Sequence, residues 1–323
     1  MTAIVYAMAF LKNVIYGMSV FFTGSLSDSV DVLDILALRF LMSFLVLFLL
    51  KSLKIIKIDV GIKDVIGRTD RSKYIKSLLL AALFEPVLYM FFETLGIAMT
   101  SGITAGVVLS LLPVSCCICE SLILKEKTSL LQKIFLGLGI VGVAYIAINT
   151  STGEGKDSVW GILFLIFAII SGALFMVFSR KSSSKFKPME ITYFSCLLGM
   201  IVFNAVNVVR HLINGDILEY FTPYLSLDNM VGFVFLAVIS TIVATSMNNF
   251  ALKYMQVSTM SAFGGVSTMV TVAAGVIFAN ETLYLFHIIG LSLIVIRMIG
   301  VSAIAIKKEK KQKSEQSLER IEK

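Results

Sequence analysis

Ten long apolar stretches, separated by short polar links, restrict this chain to one kind of fold, a bundle of membrane-spanning helices. In hydrocarbon no water satisfies the backbone, so each crossing segment closes its own hydrogen bonds as a helix. The predicted spans are 3–22, 32–50, 74–96, 101–124, 130–148, 159–178, 191–209, 230–250, 257–279 and 283–306. Each holds about 20 residues, enough for a hydrocarbon core of about 30 Å at a rise of about 1.5 Å per residue. The links are too short for an independent core, so a soluble domain is excluded. Mean hydropathy is +0.91 and only 15% of residues are charged, as a membrane domain requires.

The formal charge of +7 does not point to nucleic acid, because the basic residues are sorted by side. With a cytoplasmic amino terminus, 23 of the 28 Lys and Arg fall in the even-numbered links, their rims and the tail. The opposite face carries Lys156 and Arg210. The positive-inside rule then places both termini in the cytoplasm of a cell whose cytoplasmic membrane holds the protein as a multi-pass chain. The basic tail, 307–323, reads as an anchor to lipid headgroups. The first span has no basic segment before it and no small-residue cleavage site, so it is expected to remain as a helix.

Chemistry of bond-making is poorly represented. Cys116, Cys117 and Cys119 crowd one span but point about 100° apart in succession, and Cys196 stands alone. His211 and His287 have no ligand spacing around them, so no metal and no cofactor is expected. Nucleophile elbows, zinc-protease motifs and phosphate loops are missing from the sequence, which argues against an enzyme. No polar ring repeats as a channel filter requires.

The two halves of the chain resemble each other. Ser110-Leu-Leu-Pro113 leads to Leu124-Lys125-Glu126 and a span with Gly142; Gly265-Val-Ser-Thr268 leads to Ala279-Asn280-Glu281 and a span with Gly290. Aligning Glu126 with Glu281 gives an offset of 155 residues. Five spans separate equivalent elements, an odd number, so the second copy is inverted across the membrane. The expected units are residues 1–150 and 151–306. Inverted repeats of this kind suit secondary transporters, which bind solutes near the midplane. Together with Arg39-Phe40 in span 2 and Trp160-Gly161 opening span 6, this order resembles the drug/metabolite transporter superfamily, in its EamA-type branch. The resemblance implies ten helices, a central cavity and spans 5 and 10 away from it. Thr268, Arg297 and Phe135 depart from the pattern, standing where Pro, a small residue and Gly are usual.

The candidates among the charges inside predicted spans are Lys12, Arg39 and Arg297 against Glu85, Glu93 and Glu120. A charge at the bilayer centre costs about 2.5–3.5 kcal/mol on insertion scales, so each needs a partner or a purpose. Glu85, Tyr89, Phe92 and Glu93 follow at i, i+4, i+7 and i+8, one helical face. Carboxylates among aromatic rings suit a solute with a cationic group. Pro86 removes a backbone donor directly after Glu85 and widens that site. Lys12 and Tyr16 share a stripe on span 1, and Lys12 meets either a substrate carboxylate or Glu85. Asn13 is expected to bond a neighbouring helix. Thr241, Thr245, Asn248 and Asn249 form a polar stripe on span 8 that needs partners in lipid. The predicted substrate site is Glu85, Tyr89, Phe92, Glu93, Lys12, Tyr16, Thr245 and Asn248; Arg39, Glu120 and Arg297 are gating or structural charges. These residues point to a secondary transporter for a small polar metabolite (amino acid, amine or nucleobase-like). Proton coupling through a buried carboxyl and a homodimer both stay open. A flippase for a lipid or lipid-linked sugar is the alternative.

Overall fold

A computed structural model describes residues 2–59, 72–123, 130–150, 158–255, 257–293, 295–297, 299–300 and 303–304. Glu126, Asp157 and the tail at 307–323 lie outside the described residues. Among those described the chain is all-helical. The elements are α1 (Thr2–Ser27), α2 (Val32–Ser52), α3 (Lys73–Ala98), α4 (Gly102–Ile123), α5 (Leu130–Thr150), α6 (Val159–Ser182), α7 (Pro188–Asn214), α8 (Leu227–Tyr254), α9 (Val257–Ala262, continued by Gly264–Phe278) and α10 (Leu285–Arg297). Seven of these, α1 to α4 and α6 to α8, are long and apolar enough to cross a membrane as they stand; α9 and α10 are shorter apolar helices.

Many large side chains face outward: Leu45, Phe48 and Leu49 on α2, Leu130, Leu131 and Ile134 on α5, Ile296 and Ile299 near the chain's end. In water such a belt is unfavourable by roughly 25 cal/mol per Å², so it belongs against lipid. Trp160, 66% exposed at the start of α6, sits where an interfacial anchor belongs.

Several helices depart from the predicted spans. α7 continues to Asn214 instead of stopping before Arg210, because Arg210 and His211 find carboxylate partners and Gly215 ends the helix at φ 78°. A left-handed residue at that position is cheapest as glycine. α3 breaks at Glu85, whose φ of −139° and ψ of 116° are extended, inside a π-helical turn at Leu83–Leu88. The cause is local: Pro86 has no N–H to donate, and its ring pushes the preceding residue out of the helical region. α8 has a π-helical stretch as well, Phe235–Ala244.

The packing has a simple order. α1 lies against α8 and α9, α6 lies against α3 and α4, and α2 and α7 lie against each other. Gly17 permits one of these approaches, since a Cβ there meets Ser267 O at 2.6 Å; at Gly172 a Cβ meets the Tyr89 ring at 2.9 Å. Two apolar clusters close the ends of the bundle. Leu36, Phe40, Phe203 and Phe233 pack near the α1–α2 link, and Phe175, Leu252, Met255 and Met260 pack toward the α2–α3 link.

Candidate functional site

Between those clusters lies a cavity. Its charged wall comes from three helices of the first half: Lys12 from α1, Arg39 from α2, and Glu85 and Glu93 from α3. The lining from the second half is uncharged, with Gly172, Met176, Ser240, Asn248, Ser267 and Thr271 from α6, α8 and α9.

Glu85 reaches the cavity because Pro86 breaks α3 there. It is 8% exposed, Lys12 is 4% exposed, and among the described residues neither makes a hydrogen bond or an ion pair within 4.0 Å. The Lys12 ammonium lies 5.0 Å from the centre of the Tyr16 ring, a cation–π contact. The permanent Lys12–Glu85 ion pair considered from sequence is not formed. Glu93 accepts a hydrogen bond from the Tyr89 hydroxyl at 2.7 Å. Arg39 donates from Nε to Thr241 Oγ1 at 2.8 Å and from NH2 to Ser240 Oγ at 3.3 Å, which fixes its guanidinium against α8. Tyr16 and Thr245 share a hydrogen bond of 3.2 Å between hydroxyls.

Of the residues predicted for the site, Glu85, Tyr89, Glu93, Lys12, Tyr16 and Asn248 line the cavity. Thr245 stands behind Tyr16 as its partner. Phe92 is elsewhere: its ring faces Phe164 and Phe167 of α6, and Phe167 is half exposed on the outer surface. Phe92 stands about 100° from Glu93 on the same helix, on the flank of the stripe that carries Tyr89 and Glu93. Asn13 lines the cavity but bonds back to Ala9 O of its own helix at 2.6 Å, not to a neighbour.

The three charges set aside as gating or structural separate in space. Arg39 belongs to the cavity. Glu120 ties three helices, accepting from Arg180 NH1 at 2.8 Å and from Val257 N at 3.2 Å. Arg297 is 1% exposed on α10, lies over Gly139 of α5, and among the described residues has no hydrogen-bond partner for NH1 or NH2. Sequence reasoning overlooked Ser240, Ser267 and Thr271. An available signal was the 155-residue offset, which maps Glu85 onto Ser240 and Leu112 onto Ser267, all four lining the cavity. Among the described residues no group of three His, Cys, Asp or Glu side chains is placed to hold a metal.

The family known as the EamA-like transporter family matches this chain twice, over residues 3–148 and 159–303. The chain belongs to that family. It is therefore a multi-pass membrane transporter of the drug/metabolite superfamily and not an enzyme. It is 32% identical to the uncharacterized transporter YcxC of Bacillus subtilis strain 168, over 95% of each chain. An uncharacterized transporter of Archaeoglobus fulgidus is 23% identical over 76% of this chain and 82% of its own. A solved structure, described as the crystal structure of a protein, matches 93% of this chain and 98% of its own with a TM-score of 0.62. At 15% identity that likeness speaks for the fold alone.

Proposed function

We propose that this EamA-like transporter moves a small polar metabolite with a cationic group, of the amino acid, amine or nucleobase type, by alternating access. One observation carries the reading: Glu85 and Lys12, of opposite charge and both buried, line one cavity and, among the described residues, make no hydrogen bond or ion pair with each other or with another side chain, Lys12 meeting only the Tyr16 ring. A structural pair closes on itself, whereas two open charges at that depth are compensated by a bound solute. The tyrosines Tyr16 and Tyr89 add ring faces suited to an ammonium. Glu85 also suits proton coupling, since a carboxyl without a fixed partner can exchange a proton for the solute.

Alternating access rests on two inverted five-helix units, residues 1–150 and 151–306. In its support, α1 meets α8 and α9 as α6 meets α3 and α4, the relation an exchange of halves produces. Gly17 and Gly172 stand 155 residues apart, and so do Leu112 beside Gly172 and Ser267 beside Gly17. The π-helical turns of α3 and α8 overlap at the same offset. The basic residues of the even-numbered links support cytoplasmic termini.

The flippase alternative calls for a charged groove open to lipid; the burial of Lys12, Arg39, Glu85 and Glu93 favours an enclosed soluble solute instead. A thermal-shift screen of the purified protein against amino acids, amines and nucleobases tests the proposal. A cationic or zwitterionic compound is expected to raise the melting temperature of the wild type and to leave Glu85→Gln unchanged. Stabilisation by lipid-linked sugars alone, or equal shifts in both proteins, would contradict it.

A further inference from the structure

A second buried charge cluster lies near the α1–α2 link, outside the cavity. Asp34 of α2 accepts from His211 Nε2 at 2.9 Å, from Asn207 Nδ2 at 2.8 Å and from Arg210 NH2 at 2.7 Å, all three on α7. Asp216, beyond the end of α7, faces the other imidazole nitrogen, Nδ1, at 2.8 Å. Arg210 also pairs with Asp31, and the Tyr220 ring lies 5.3 Å from the imidazole. The charged and titratable groups around His211 are thus Asp31 and Asp34 from α2, Arg210 from α7, and Asp216 and Tyr220 from the loop that follows.

Two protonation states of the ring use different partners. A carboxylate only accepts, so a ring bonded to Asp34 and Asp216 together donates from both nitrogens and is a cation. A neutral ring that keeps its proton on Nδ1 for Asp216 has a lone pair at Nε2. That atom also lies 3.2 Å from Arg210 NH2, a donor, and not only beside Asp34. Loss of one proton therefore exchanges a bond between helices for a bond between neighbours on α7. Asp34 is five residues before Arg39 on α2, and Arg39 lines the cavity.

We propose that His211 is a pH-sensitive positioning residue: when charged it clamps Asp34, and so holds α2 against α7 with Arg39 set in the cavity wall. When neutral it gives up its own bond and weakens that clamp, leaving Asn207 and Arg210 as the ties from α7 to Asp34. Its consequence for transport rests on the function proposed above, but the clamp itself is tested without a solute.

The experiment follows the melting temperature of the full-length protein in detergent from about pH 5 to 9, the range a histidine spans. Stability from the charged ring is present at low pH and lost as pH rises and the ring gives up its proton. Wild type is expected to lose several degrees on this limb, relative to His211→Asn, which keeps an amide donor but does not titrate there. Asp216→Asn removes one carboxylate from the ring, and is expected to move the same limb to lower pH. Parallel profiles for wild type and His211→Asn, or an unmoved limb in Asp216→Asn, overturn the clamp. Failure of every solute in the binding screen, with the limb intact, counts against the transport reading alone.

Discussion

Buried charge in this protein takes three forms, and each side chain's surroundings decide what it does. Glu120 is satisfied by Arg180 and the Val257 amide, and acts as a tie. Glu85 is open to the cavity, where a solute can compensate it. Arg297 is neither: among the described residues its terminal nitrogens are buried without a hydrogen-bond partner, and α5 and α10 carry no acidic residue along their length. Replacing an unpaired buried cation by an apolar side chain of similar volume relieves a desolvation cost. Arg297→Met is therefore expected to stabilise the protein by about 1–3 kcal/mol, read from detergent melting. Unchanged or lowered stability would show that the guanidinium is compensated. Gly139→Ala should do the reverse, since its Cβ meets Arg297 Cδ at 2.4 Å. The need for some special treatment of Arg297 was legible in the sequence, because a charge stands out in an apolar span. Its lack of a partner was not, because pairing is decided by tertiary contact.

At the scale of elements, Pro86 is the residue that turns α3 from a straight rod into part of a site. It places Glu85 in an extended conformation at the cavity. Pro86→Ala restores a helical donor at that position and removes the constraint on Glu85. A regular α3 then carries Glu85 away from Lys12 and Arg39. The expected outcome is a protein of equal or higher melting temperature whose solute-induced shift is lost; a retained shift would mean the break is dispensable. Pro86 announced a bend in the sequence, and the helical-face count brought Tyr89 and Glu93 to the cavity with Glu85 but not Phe92, which stands about 100° from Glu93 at the edge of that stripe. The glycines make a second case. Gly17→Val pushes a side chain into Ser267 O and Val270, and Gly172→Val into Tyr89 and Leu112. Overpacking of this kind costs about 1–3 kcal/mol, so both variants should melt lower by similar amounts. A loss confined to one would argue against equivalent roles in the two halves.

For the whole molecule, the apolar pattern was enough to read a helical membrane protein, and the repeat and motif order were enough to read its family, which the double match bears out. The charge asymmetry of the cavity was less visible. Lys12, Arg39, Glu85 and Glu93 all belong to the first half, while the positions 155 residues later are Phe167, Phe194, Ser240 and Asn248. Sequence lists the charges, but only the packing of α1, α2 and α3 shows that they share one wall. Orientation is testable at this scale too. Single cysteines at positions 157 and 314, in a cysteine-free background, should react with an impermeant reagent from outside and from inside respectively; reaction of both from outside contradicts cytoplasmic termini. The most direct test of the central claim is transport in proteoliposomes by Glu85→Gln, with melting temperature measured on the same preparation. A solute selected by its wild-type thermal shift should be transported by the wild type. The variant is predicted to lose transport by at least about tenfold, a change in barrier of about 1.4 kcal/mol, with its melting temperature preserved. Transport that persists in Glu85→Gln while stability falls would contradict the account and make Glu85 a structural residue.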